Sequence, residues 1–414
     1  MADIIPFKAI RPPRDKAYLV SSLPYYAYTK EVLKAKLISN PYTFLHIINP
    51  EFSSKQKTKP NSIERFQLVK NKFDEFYQKG YFIKDNEEAF YLYRQTTPQN
   101  QYLGLIAGIS VDEYLEGKIK IHEHTLTKRE ETFKTYLDVC KFNAEPVLLM
   151  HKRNAGLKAI FRKYTKKQPE YEFSTTHFIK HELWLIKKPK DIAKIKEHFK
   201  TIQNVYIADG HHRTASSVLY AQSKRKALGN YDKNANFNYF LGYFIAENDI
   251  KIFPFNRIVQ IPKKLTSKEI LDRISHHFNV HKVDSGFNPL KKHEIAMLLE
   301  GNWYKLTPLN KLLKTKKVAD KLDVALINNY LLTPIFNIKD FKKDKKVQYK
   351  EGSKGFQTVE KAINNDPRKI GFVFYEVTPK DLKKVADNNE TMPPKSTWIE
   401  PKLRSGLTIF DLND

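Results

Sequence analysis

The sequence predicts a mixed α/β chain of the α+β kind, with helices and strands interleaved in one or two compact domains. Three observations predict it. Ile63, Phe66, Val69, Phe73, Phe76 and Tyr77 recur at helical spacing, the pattern of an amphipathic helix. Short apolar runs such as Phe90–Tyr93 and Pro146–Met150 have the length of strands. Val205-Tyr206-Ile207-Ala208 runs through Asp209-Gly210 into His211-His212-Arg213-Thr214-Ala215-Ser216, a strand, a tight turn and a helix start.

In order, the first region (1–117) opens on Arg11-Pro12-Pro13-Arg14 and Leu23-Pro24-Tyr25-Tyr26. A helix is expected over Lys30 to Leu37, an extended run over Tyr42 to Ile48, a helix over Ile63 to Tyr77, and neighbouring strands over Ala89 to Gln95 and Tyr102 to Val111. The second region (118–250) holds Ile119 to Thr125 as a strand, Glu130 to Asn143 as a helix, and Pro146 to Met150 as a buried strand. His177 to Ile186 and Asn238 to Ile245 are expected as further strands, with a helix over Ala193 to Phe199. The third region (251–414) alternates helices at Ser267 to Phe278 and Val324 to Leu332 with strands at Trp303 to Leu306 and Ile370 to Tyr375.

Composition bounds the function. The chain has 414 residues, 41% of them hydrophobic and 13% aromatic, enough for sizeable cores. No apolar run approaches the length of a membrane span, and no basic-then-apolar leader opens the chain, so a cytoplasmic protein is expected. A single cysteine, Cys140, excludes an intramolecular disulfide and a thiolate metal cluster. The net charge of +26 is spread over separate lysine runs, which favours a solvated basic surface over a dedicated polyanion site.

Three stretches carry chemistry. Asp209-Gly210-His211-His212-Arg213 places a carboxylate, two imidazoles and a guanidinium where a strand turns into a helix, and helix starts suit phosphate. Arg213 offers a fork of donors to phosphate oxygens, and Asp209 a carboxylate for a metal-bound phosphate or a hydroxyl proton. His122-Glu123-His124 would, on a strand, put both imidazoles on one face and Glu123 on the other. With His211 and His212 these imidazoles leave a metal-dependent hydrolase open. Met392 to Gly406 is stiffened by Pro393, Pro394 and Pro401 and supplies Lys395, Ser396, Thr397, Lys402 and Arg404, the makings of an active-site lid. Neither a Walker A pattern nor a dinucleotide fingerprint is present.

Arg11-Pro12, Asn40-Pro41-Tyr42, Pro50-Glu51, Tyr93-Arg94-Gln95, His122-Glu123-His124-Thr125, Asp209 to Arg213 and Pro393 to Trp398 occur in this order. The series resembles a large prokaryotic family catalogued as a numbered domain of unknown function, along nearly the whole chain to about Leu407. Tyr26 departs from it, standing where the family more commonly has an aspartate. The Asp-Gly-His-His-Arg element also resembles that of the free-serine kinases, within the ParB/sulfiredoxin-like superfamily. That resemblance implies a ParB/sulfiredoxin-like nucleotide-binding core inside a larger fold. It implies nucleotide phosphates, from ATP or ADP with Mg2+, over Gly210, His212, Arg213 and Thr214. Glu123 is the positional match for a glutamate acting with Asp209 on a substrate hydroxyl, given an insertion near Tyr164 to Ile186.

The function expected is a phosphotransferase acting on a small hydroxyl compound, free serine among them. Its catalytic residues would be Glu123, Asp209, His211 and His212. Asp209 would also hold the metal, and Lys395 and Arg404 would close over the ligand. The alternatives are a nucleotide- or DNA-binding ParB-like protein that transfers nothing, and the histidine-based metal hydrolase.

Overall fold

A computed structural model describes residues 2–413 apart from His177 and Asn365, and apart from the side chain of Tyr26. Two expectations, the first residue of the His177 to Ile186 strand and the departure at Tyr26, therefore lie outside the described residues. The chain forms two compact units: Met1–Lys120 with His124–Ile250 and Pro401–Asp414, and Ile121–Glu123 with Lys251–Glu400.

The first unit is built on a nine-stranded sheet. Its strands are β1 (Ile4–Ile5), β2 (Phe90–Thr96), β3 (Gln101–Ser110), β4 (Ile119–Lys120), β5 (Val147–His151), β6 (Tyr171–Thr175), β7 (Ile179–Ile186), β8 (Val205–Asp209) and β9 (Tyr239–Ala246). They lie in the order β4-β8-β5-β9-β3-β2-β7-β6, with β1 beside β3. Only β8 with β4 and β9 with β5 are parallel. β5 is buried along its whole length, as its unbroken apolar run requires. Strands from both sides of Gly117 share this sheet, since β9 pairs with β3, and Pro401–Asp414 belongs to the same unit.

The Ile63–Gln78 helix begins at Ser62, whose side chain accepts from the Arg65 amide, and buries Phe66, Val69, Phe73 and Phe76. This face packs with Cys140 and Phe142 at the end of the Thr127–Cys140 helix and with Ile409 from the C-terminus. Cys140 is buried and its thiol is pushed up to about 12 by burial, so it stays protonated.

Tyr42 to Ile48 is not extended. Leu45–Ile48 forms a single helical turn whose Phe44, Leu45 and Ile47 side chains are buried, so packing overrides the strand preference of its β-branched residues. The strand expected over Ile119 to Thr125 stops at Lys120.

The second unit carries a wholly antiparallel seven-stranded sheet. It comprises β10 (Lys251–Gln260), β11 (Phe278–Val283), β12 (Ile295–Leu299), β13 (Asn302–Pro308), β14 (Val347–Glu351), β15 (Lys369–Phe374) and β16 (Thr397–Glu400). The order is β11-β13-β12-β15-β10-β14, with β16 also on β10. One face packs with Ile270, Ile274 and residues 324–336, the other with Val359 and Ile363. Among the described residues no helix is long and apolar enough to cross a membrane.

Candidate functional site

The Asp209–Arg213 turn is positioned by β8. Asp209 stands at the carboxyl end of a buried strand, as the sequence predicts, and β8 has one parallel neighbour, β4, and one antiparallel neighbour, β5. What aims Asp209 is a register shift between Ile207 and Asp209, a bulge that bends the strand as it leaves the sheet. Gly210 then adopts φ 106° and serves as the N-cap of the 18-residue His211–Leu228 helix. This left-handed backbone suits glycine, and Gly210 has no side chain with which to close the helix start.

The helix is anchored along its interior and at its far end. Thr214, Ala215, Ser216, Ser217, Val218, Tyr220 and Ala221 are buried. At its far end Arg225 grips Asp112 through two bonds of 2.6 and 3.0 Å and donates to Asn238 at 2.7 Å. A helix held so firmly by its interior and last turn can present its first turn in a fixed orientation.

Around that turn the charges interlock. Arg213 pairs with Glu145 and, at 3.5 Å, with Asp209, and Lys402 lies 4.0 Å from the same Asp209 oxygen. Glu145 also accepts from Ser405 Oγ at 3.4 Å, and the Gly406 amide donates to Ala144 O at 3.0 Å. The Lys402 carbonyl accepts from Gln95 Nε2 at 3.1 Å. Asp209 keeps 42% of its side chain exposed. The site thus offers an accessible carboxylate flanked by two cations at the start of a long helix, a setting for an anion brought in with its own negative charge.

The other motif residues divide. His211 is 6% exposed, His212 is half-buried, and Thr214 is fully buried with its hydroxyl turned back to Gly210 O at 3.4 Å. His122 is buried, Glu123 half-buried and His124 exposed, so the two imidazoles do not share a strand face. The reason is that pairing with β8 ends at Lys120, after which the His122 carbonyl takes the Met392 amide at 2.9 Å. Ile121–Glu123 belongs to the second unit, whereas Asp209 belongs to the first. Among the described residues no three His, Cys, Asp or Glu side chains are arranged to hold a metal ion, so the four histidines form no ligand cluster.

The expected lid over Lys395 to Arg404 is not one loop. Thr397–Glu400 is strand β16 on β10, and the chain passes from the second unit to the first after Glu400. Lys395 stays in the second unit. Arg404 lies in the first, where its guanidinium donates to Ser21 through Nε–Oγ at 3.1 Å and through Nη2 to the Ser21 carbonyl. Glu145 and Lys402 contact the turn but were not assigned to it from sequence. The available signals were a carboxylate at the entrance of a fully apolar strand, and a lysine two residues before Arg404.

Beside Arg404, the Tyr93-Arg94-Gln95 motif proves architectural. Arg94 holds Glu182 across the β2–β7 ladder at 2.6 and 2.7 Å. The Tyr93 hydroxyl meets His181 Nδ1 at 2.7 Å, and His181 Nε2 lies 3.4 Å from Thr175 Oγ1. Burial first, and the charge of Arg404 second, push His181 down to about 3. His181 is therefore neutral when folded and takes a proton readily only when unfolded. Stability should be fully present above about pH 6.5 and fall as pH drops from there toward about 3, by roughly 1.4 kcal/mol per unit at most from this group. Acid unfolding curves of His181→Gln should flatten over that window; an unchanged slope would remove His181 as the cause.

Solved structures similar to this chain include SbnI with C-terminal truncation from Staphylococcus aureus, at 15% identity and TM-score 0.36, covering 71% of this chain and 82% of that one. A free serine kinase in complex with AMP is similar at 14% identity and TM-score 0.35, covering 73% and 91%. A conserved hypothetical protein from Pyrococcus furiosus is similar at 14% identity and TM-score 0.32, covering 73% and 95%. Likeness at this level carries no argument about activity. Among curated proteins none matches. The chain belongs to the family described as "Protein of unknown function (DUF1015)", which it matches over residues 4–325, a span that takes in the Asp209 turn and ends before the Pro393 to Trp398 stretch.

Proposed function

We propose that the protein is a phosphotransferase that binds a nucleotide's phosphates at the Gly210–Arg213 turn and passes a phosphoryl group to the hydroxyl of a small metabolite. The observation that carries this is the turn itself. A left-handed glycine opens an 18-residue helix directly after a bulged strand, with Arg213 and Lys402 on either side of a partly exposed Asp209. Phosphoryl transfer asks little more of a protein than positioning and charge neutralisation.

In this reading the helix start and Arg213 hold phosphate oxygens, and Lys402 offsets the charge that develops during transfer. Asp209 accepts the acceptor's proton. Its hard oxygen donors, together with phosphate oxygens, also suit Mg2+, which binds through one or two carboxylates plus phosphates and would supply charge neutralisation there. His212, beside Arg213, is the nearer of the two imidazoles to solvent and the better placed to stabilise transferring charge.

The test is incubation of the full chain with labelled ATP or ADP, Mg2+ and a pool of amino acids and other small hydroxyl compounds. A new phosphorylated metabolite is the expected result, with free serine the first candidate acceptor. No product with either donor would remove the transferase reading, and nucleotide binding without turnover would leave a binding protein in its place.

A further inference from the structure

We propose that the second unit carries an oxyanion-binding site of its own, built on the guanidinium of Arg257 and the ammonium of Lys395. Arg257 lies in β10 opposite Tyr349 of β14 and Phe372 of β15, and it is 0% exposed. A buried arginine is ordinarily held by a carboxylate; among the described residues none pairs with this one. Its bonds to carbonyls are long, Nη1 to Phe255 O at 3.4 Å and Nη2 to Pro394 O at 3.3 Å, and its remaining polar contact is with the neutral Tyr349 hydroxyl. The rings of Tyr349 and Phe374 flank it at 5.5 and 5.4 Å. Nε has no hydrogen-bond partner among the described residues. Such contacts offset little of the cost of taking a full charge out of water. Burial accordingly pushes the guanidinium down to about 10, against a partial offset from Tyr349.

The backbone explains why the charge sits there. β10 pairs with β16 through Lys251–Pro254 and with β15 through Arg257–Gln260, so this edge of the ladder changes partner at Phe255 and Asn256. Arg257 reaches across that break to the carbonyl of Pro394. Phe255 and Arg257, two residues apart on a strand, share a face. On the same face Lys395 sets its ammonium 5.1 Å from the centre of the Phe255 ring, and Trp398 meets that ring edge-on at 5.7 Å.

Lys395 is exposed, without an acidic partner among the described residues, and left-handed at φ 56° in a turn that Ser396 Oγ closes onto Pro393 O at 2.6 Å. A lysine is a costly choice at a position that favours glycine, and backbone strain of this kind gathers at ligand sites. Two cations on one face, one buried and one at the surface beneath and beside a single strained turn, define a place for an anion. Phosphate and carboxylate both match an arginine fork. The ligand class is therefore a small oxyanion, which would take the place of the Pro394 carbonyl on Arg257 and draw Lys395 down.

Calorimetric titration of the full chain with inorganic phosphate, and separately with malonate as a carboxylate probe, tests this. Arg257→Met is expected to remove one binding event, or to weaken it at least tenfold, with either probe. Arg213→Ala should leave that event unchanged. If the Asp209 turn also binds phosphate, the wild type shows a second event that Arg213→Ala removes and Arg257→Met does not; a missing second event counts against the proposed function and not against this site. Phosphate alone or malonate alone at the Arg257 event identifies which oxyanion the site takes. Should Arg257→Met fail to fold, Lys395→Ala on the exposed turn decides, with binding expected to weaken several-fold. Binding of both probes unaffected by either substitution, or no event that Arg257→Met or Lys395→Ala alters, overturns the proposal.

Discussion

Replacing Asp209 by alanine is expected to abolish phosphoryl transfer while the protein remains folded. Asp209 is the carboxylate at the end of β8, and 42% of its side chain is exposed. Its ion contacts, 3.5 Å to Arg213 and 4.0 Å to Lys402, are long and partly solvated, so losing them should cost stability about 1 kcal/mol or less. Loss of a positioned general base costs about 10²–10⁴-fold in rate. The informative pattern is a turnover number lowered at least a hundredfold, an unchanged unfolding midpoint, and nucleotide binding retained. A normally folded Asp209→Ala protein that turns over at the wild-type rate would take Asp209 out of the mechanism.

Gly210→Ala should damage both stability and nucleotide binding. At φ 106° any side chain strains the backbone, by about 1–2 kcal/mol on the left-handed penalty alone. The added Cβ would also lie 2.8 Å from Arg213 Nη2 and 2.9 Å from its Nε. Arg213 is held by Glu145 and Asp209, so it can move aside only by giving up those partners. Thermal unfolding should therefore shift down by several degrees, and nucleotide affinity should fall at least tenfold. Arg213→Ala, which removes the guanidinium without straining the turn, separates the two effects: affinity should fall while the stability loss is smaller. Equal affinity in wild type and Gly210→Ala would show that the turn does not hold the phosphates.

Much of the local structure was legible because it is written in periodicity and turn chemistry. The Ile63–Gln78 helix follows from its apolar spacing, the β2–β3 pair from two adjacent apolar runs, and the strand-turn-helix at Asp209 from a glycine after an apolar strand. Tyr42 to Ile48 and His122 to His124 were misread because each has strand-like residues whose conformation is set by distant partners. Leu45–Ile48 coils into a packed turn, and His122 gives its carbonyl to Met392. The lid was misread for the same reason: Thr397–Glu400 sits in a proline-stiffened, largely polar stretch, yet its backbone completes a ladder with Lys251–Pro254.

The sequence by itself determined most of the elements and the chemistry of the turn, since strand length, the need for glycine at a left-handed position and the identity of the four side chains around it are local properties. Only the tertiary structure decided what surrounds them. The setting of β8 between a parallel and an antiparallel neighbour, the bulge that aims Asp209, the approach of Glu145 and Lys402, and the division of Lys395 from Arg404 all depend on which distant segments pair. Such pairings are settled by hydrogen-bond register and by the burial of whole faces, and a window of neighbouring residues carries neither.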